Sequence, residues 1–223
     1  MARSPRLHNS PVAVIGLGRF GRSLALELVR DGCEVLGIDG DAKVVQSLAG
    51  RLTHVVEADS TDEDAMRQLS LQDFDRAVIG IGTDLESSIL SASVLLNLGV
   101  PNIWAKAVTE SHARILGQIG VHHVVRPEHD MGKRVAHLVR GRMLDYIEFD
   151  DGYAIVKTRP PRSLHGVPLG ESRPRSRFGI TIVGVKRTGL AFTYATPDTV
   201  VEEGDLVIIS GPRDDVERFS ELA

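Results

Sequence analysis

The chain has 223 residues, 42% hydrophobic and 25% charged, proportions that disfavour wholesale disorder, collagen and coiled coil. With 26 basic against 30 acidic side chains its formal charge is -4, so it carries no basic field of the kind that binds nucleic acid. The single cysteine, Cys33, can form neither an intrachain disulfide nor a zinc site by itself, which fits a reducing, cytosolic compartment.

Residues 1–10 are expected to be a disordered tail, since Arg3 and Arg6 are followed by no apolar stretch of signal-peptide kind. From Val12 to about Arg140, short apolar runs alternate with helical patterns. The runs are Val12 to Ile15, Val35 to Ile38, His54 to Val56, Ala77 to Ile81, Ile103 to Ala105 and His123 to Val125. Near-continuous apolar strands of this sort suit a parallel sheet covered on both faces. Between them, Asp84 to Leu98 repeats Leu85, Ile89, Ala92 and Leu96 at helical spacing, and Gly99 with Pro101 ends it. Ser60 and Thr61, followed by three acids, are expected to cap another helix. The longest apolar stretch, Ile89 to Val100, is broken by Ser91, Ser93 and Asn97 and falls short of the roughly 20 residues of a membrane span. Any membrane connection is therefore expected to run through a partner.

After Asp145 the pattern changes. Asp150-Asp151-Gly152 reads as a turn, and Ala154, Val156 and later Ile180, Ile182 alternate with period two. Strands are expected over Gly179 to Lys186, Leu190 to Ala195 and Leu206 to Ser210, a basic loop over Glu171 to Arg177, and a closing helix over Arg213 to Leu222. The fold class is α/β: a Rossmann-like, doubly wound parallel sheet in residues 11–144, followed by a smaller α+β domain in residues 145–223, whose small core suggests that it dimerises or docks.

The constellation richest in chemistry is the strand Val12 to Ile15 running into Gly16-Leu17-Gly18-Arg19-Phe20-Gly21. Gly16 permits a tight turn, Gly18 lets phosphate approach the backbone, and Gly21 lets helix pack on strand. Asp39 ends the second strand, where a carboxylate accepts ribose hydroxyls and argues against a 2′-phosphate. Arg19 opposes the helix dipole, so it either meets a terminal phosphate or reaches back to an acid. Asp59 stands either at an adenine edge or at a helix cap. Gly80 and Gly82 keep side chains off the crevice. Glu128, His129, His122 and His123 invite a metal, yet Glu128 and His129 are adjacent and cannot face one way, which disfavours a closed zinc site; Glu128 serves either a hard cation or a helix start. No Ser/His/Asp or Cys/His set is evident, so an NAD-dependent oxidoreductase is the second reading rather than the first.

These residues, together with Glu34 to Asp39, Pro101-Asn102-Ile103-Trp104-Ala105-Lys106 and Arg126-Pro127-Glu128-His129-Asp130-Met131-Gly132, make the chain resemble the RCK-domain regulatory subunits of potassium transport systems, the KtrA/TrkA family, with its Ktr branch the nearer. The resemblance implies a cytoplasmic, non-enzymatic gating subunit with a crossover helix near Lys133 to Leu144. Such a subunit dimerises, assembles into an octameric ring and attaches to the inner face of the membrane through a potassium-translocating partner. It implies that Gly16, Gly18, Arg19 and Asp39 hold ATP or ADP, with Phe20, Gly21, Asp59, Gly82 and Lys106 completing the set and NAD or NADH as the other ligand. It implies a divalent or monovalent cation at Glu128 between subunits, and cyclic di-AMP near Arg175, where Arg173, Arg175 and Arg177 read equally well as a solvated basic loop. Gly40, where relatives often carry a larger residue near the ribose, departs from the family pattern.

Overall fold

The computed structural model describes residues 10–140 and 142–222; the expected N-terminal tail lies, apart from Ser10, outside them. The chain divides into two compact units, the first ending at Glu128 and the second beginning at His129.

In the first unit the strands are β1 (Val12–Ile15), β2 (Val35–Asp39), β3 (His54–Glu57), β4 (Arg76–Ile79), β5 (Ile103–Lys106) and β6 (His123–Val125). All pair in parallel, in the order β3-β2-β1-β4-β5-β6. The helices are α1 (Arg19–Arg30), α2 (Ala42–Leu48), α3 (Glu63–Gln68), α4 (Leu85–Asn97), α5 (Glu110–Gln118) and α6 (Pro127–Arg140), the last running on into the second unit. Strand β1 explains why the runs are apolar without alternation. Ala13 and Ile15 enter one core with Ile38, Ile79, Leu95 and Ile103, while Val12 and Val14 enter the opposite core with Leu17, Ala25, Val35 and Leu48. Successive side chains point to opposite faces, and both faces are covered.

The second unit holds an antiparallel sheet, order β10-β9-β11-β8-β7, built from β7 (Asp145–Phe149), β8 (Tyr153–Thr158), β9 (Thr181–Lys186), β10 (Phe192–Tyr194) and β11 (Leu206–Pro212). Here alternation returns. Ala154, Val156 and Thr158 of β8 are fully buried, with Val207 and Ile209 of β11 beside them, under the closing helix α9 (Arg213–Glu221).

Several boundaries differ from the sequence expectation. Strand β4 stops before Gly80, whose N–H turns to Ile15 O at 2.7 Å. Helix α3 is capped by Asp62, which accepts from the N–H groups of Asp64 and Ala65, and not by Ser60 or Thr61. The crossover helix begins six residues early because Pro127, lacking an N–H, suits a first helical position. It does not extend to Leu144, whose N–H is already bonded to Lys157 O of β8 at 2.7 Å. Strand β7 was not expected. The basic loop is instead two short helices, α7 (Leu169–Ser172) and α8 (Pro174–Phe178), separated by Arg173 in the left-handed region at φ 45°.

Candidate functional site

The strand order reverses direction between β1 and β4, and in a doubly wound sheet the crevice lies outside the carboxyl ends of the strands at that point. A cleft of about 740 Å³ opens there, walled by the residues that follow β1, β2, β3, β4 and β5. The turn after β1 is fixed by glycine geometry. Gly16 has φ +81°, and a Cβ on Gly21 would stand 1.9 Å from the Gly16 carbonyl oxygen. The strand and helix therefore cross in contact, which no side chain at Gly21 would allow.

Gly18 precedes α1 and offers no side-chain cap, and the helix carries no acid in its first turn. Its first N–H groups and the positive end of its dipole face the cleft, a ready anion site. Arg19 is exposed on the same turn, and among the described residues it has neither hydrogen bond nor ion pair. The other cation is Lys106 at the end of β5. Its Nζ donates to Glu128 Oε1 at 2.6 Å and lies 5.7 Å above the Phe20 ring. The Lys106 side chain is 11% exposed against 64% for Glu128, so the lysine is the desolvated member of the pair. Gly82 makes room for it, because a Cβ there would meet Lys106 Nζ at 3.3 Å.

The hydrogen bond from Lys106, with a smaller Coulombic contribution from Arg19, holds the Glu128 carboxyl below the ordinary carboxylate range. A carboxylate whose folded value is depressed adds stability above its unfolded value and loses it as pH falls through the folded one. Wild type is accordingly expected to lose more melting temperature than Glu128→Gln between neutral pH and the acid side of the carboxylate range. Parallel acid profiles for the two proteins would show that the pair contributes nothing to folding.

At the opposite end Asp39 is already engaged. Its Oδ2 accepts from Leu17 N at 2.6 Å, tying the glycine-rich turn to β2, and its Oδ1 accepts from Asp41 N at 2.9 Å. Each oxygen keeps a further lone pair for a hydroxyl donor. Asp59 accepts from the N–H and hydroxyl of Thr61, which lower its pKa, and so stabilises the bend before α3 without capping the helix.

Of the residues expected from sequence, Gly16, Gly18, Arg19, Phe20, Asp39, Asp59, Gly82, Lys106 and Glu128 share this one cleft. Gly21 lies behind the wall and acts through packing. Arg175 belongs to the second unit, where its Nε donates to Thr181 Oγ1 at 3.2 Å; Arg177 donates to Ser172 O and stacks over Phe178. His122 accepts from Ile103 N and His123 stacks on Trp104. Among the described residues no group of three or more His, Cys, Asp or Glu is placed to hold a metal ion. Sequence reasoning overlooked Glu57, Thr83, Ser87, Val108 and the place of Asp84 in the wall. Asp84 and Ser87 were findable as a helix cap, since the Asp84 carboxylate accepts from both the N–H and the hydroxyl of Ser87.

Residues 12–127 match the TrkA-N domain and residues 153–223 the TrkA-C domain. The chain is 35% identical to Ktr system potassium uptake protein A of Bacillus subtilis (strain 168) over 96% of this chain and 97% of that one. It is 38% identical to Ktr system potassium uptake protein C of the same organism, covering 93% and 94%. Among solved structures, the RCK domain of GsuK superposes with TM-score 0.67 at 19% identity, over 97% of this chain and 49% of that one. The NAD-bound GsuK channel gives 0.65 at 18%, over 98% and 40%, so the chain spans half or less of either structure's length. No helix among the described residues is long and apolar enough to cross a membrane. A Rossmann-like sheet with a glycine-rich turn open to the cleft, a second antiparallel unit, and matches along nearly the whole chain lead to one conclusion: this protein belongs to the TrkA-N/TrkA-C family, alongside the Ktr potassium uptake proteins A and C.

Proposed function

We propose that the chain is a cytosolic nucleotide-sensing subunit that binds ATP or ADP in the cleft and thereby gates a membrane potassium-translocating partner, as its relatives' names as potassium uptake proteins suggest. In this reading residues 11–144 bind the nucleotide and residues 145–223 serve dimerisation and a second ligand. The working form is an oligomer peripheral to the membrane, with a cation at Glu128. The observation that carries the reading is the polarity of the cleft: the uncapped start of α1 with Arg19 and Lys106 at one end, the Asp39 carboxylate at the other. That polarity matches phosphates at one end and a ribose at the other.

A regulatory role is favoured over dehydrogenation by the lining of the cleft, where the described residues include no histidine, tyrosine or cysteine to act as acid or base beside a nicotinamide. Relatives that match along nearly the whole chain are named as potassium uptake proteins.

The test is a thermal-shift series with ATP, ADP, NAD and NADH. A ligand that binds only the folded state stabilises it by about 2.7 kcal/mol at a hundredfold excess over Kd. ATP and ADP are expected to raise the melting temperature of wild type, and to do so far less for Asp39→Ala. A response to NAD and NADH alone would favour the dinucleotide reading, and no response to any of the four would overturn a nucleotide site.

A further inference from the structure

We infer that Glu57 is a second ribose-reading carboxylate, and that with Asp39 it makes an unmodified 2′,3′-diol the feature by which the cleft selects its ligand. The inference rests on the nucleotide reading of the cleft.

Glu57 is the register partner of Asp39 at the carboxyl ends of the adjacent parallel strands β2 and β3. Register partners in a parallel pair present side chains on the same face, on strands about 4.8 Å apart. Both residues line the cleft. Their states differ. Asp39 has each oxygen committed to a backbone N–H, whereas Glu57 is exposed and has no hydrogen-bond or ion-pair partner among the described residues. Its full acceptor capacity is therefore available to a hydroxyl, the only hydrogen-bond donor a ribose carries.

The neighbouring Gly40 decides how selection must work. A Cβ built on Gly40 meets nothing within 4 Å, so the ribose end has space beside it. Gly40 therefore places no side chain there to exclude a 2′-phosphate sterically. Rejection has to come from charge, and Asp39 and Glu57 supply two negative charges. Among the described residues of the wall no compensating cation is beside them: its lysine and arginine are Lys106, which is paired with Glu128, and Arg19 on the glycine-rich turn. Facing like charges disfavour a bound dianion, while a charge-assisted hydrogen bond favours a free hydroxyl.

The experiment is calorimetric titration of the full chain, wild type, Glu57→Gln and Glu57→Lys, with four ligands: ADP, 2′-deoxy-ADP, AMP and adenosine 2′,5′-bisphosphate. Glu57 has no hydrogen bond or ion pair among the described residues, so unchanged melting temperatures of the free variants serve as the folding control. Wild type is expected to bind ADP about tenfold more tightly than 2′-deoxy-ADP, and AMP at least about tenfold more tightly than the bisphosphate, the size of a hydrogen bond to a charged group. Glu57→Gln should narrow both ratios, and Glu57→Lys should make the bisphosphate the better ligand, because the lysine replaces a repelling charge with an attracting one beside the open Gly40. If wild type binds ADP yet the AMP-to-bisphosphate ratio is the same in all three proteins, Glu57 does not read the ribose and the nucleotide site stands. If wild type binds none of the four, the reading of the cleft falls and this inference falls with it.

Discussion

A Gly21→Ala variant is expected to lose about 3 kcal/mol or more of stability and to bind no nucleotide. The added methyl would sit 1.9 Å from the carbonyl oxygen of Gly16, a backbone atom that no rotamer change can move. Overpacking in a well-packed interior ordinarily costs about 1–3 kcal/mol, and here the obstacle is main chain at the crossing that shapes the glycine-rich turn. Gly16 cannot yield easily, since it is held at φ +81° and its own Cβ position would lie 2.8 Å from Ile81 Cγ1. For a protein of this size the loss corresponds to a fall of about 6–12 °C in melting temperature. Thermal unfolding and an ADP titration check both halves. A Gly21→Ala protein that melts and binds as wild type does would mean that α1 and β1 do not cross in contact.

Arg19→Ala is expected to leave ADP affinity nearly intact while removing any preference for ATP. Adenine and ribose contacts are common to the two ligands and cannot shift an equilibrium between them; only a group that meets the third phosphate can do so. Arg19 is placed for that. It opens α1 directly after Gly18, it is exposed, and Glu128, an acid that interacts with it electrostatically, is already bonded to Lys106. A charge-assisted contact to phosphate supplies about 1–3 kcal/mol of coupling, or about 5- to 150-fold in relative affinity. Paired titrations with ATP and ADP read this ratio. A mutant that discriminates as well as wild type would place the sensing group elsewhere in the wall.

What the sequence made legible follows from how each part is buried. The parallel sheet was readable because its strands serve two cores at once and so appear as unbroken apolar runs, as β1 does with Ala13 and Ile15 on one side and Val12 and Val14 on the other. The glycine-rich turn was readable because contact between backbone segments admits no other residue at Gly21. Strand β7 was not, because Ile147 and Phe149 are about half exposed and blur the alternation that Tyr146, buried, would otherwise mark. The helices α7 and α8 have four and five residues, too few to show any period. Within the cleft, Lys106 and Glu128 were each singled out, but their pairing across 22 residues depends on β5 lying beside β6, a fact of topology and not of spacing. Glu57 escaped for a similar reason, since its relation to Asp39 exists only through the register of β2 on β3.

Nucleotide state in this cleft is proposed to govern potassium movement through a membrane partner. The most direct test is potassium flux into vesicles that contain the cognate translocating subunit, with this chain added in the presence of ATP or of ADP. Flux is expected to be higher with ATP than with ADP for wild type, and equal with the two nucleotides for Arg19→Ala. Flux that is the same with ATP, with ADP and with neither, while the chain remains bound to the vesicles, would show that nucleotide does not gate the partner.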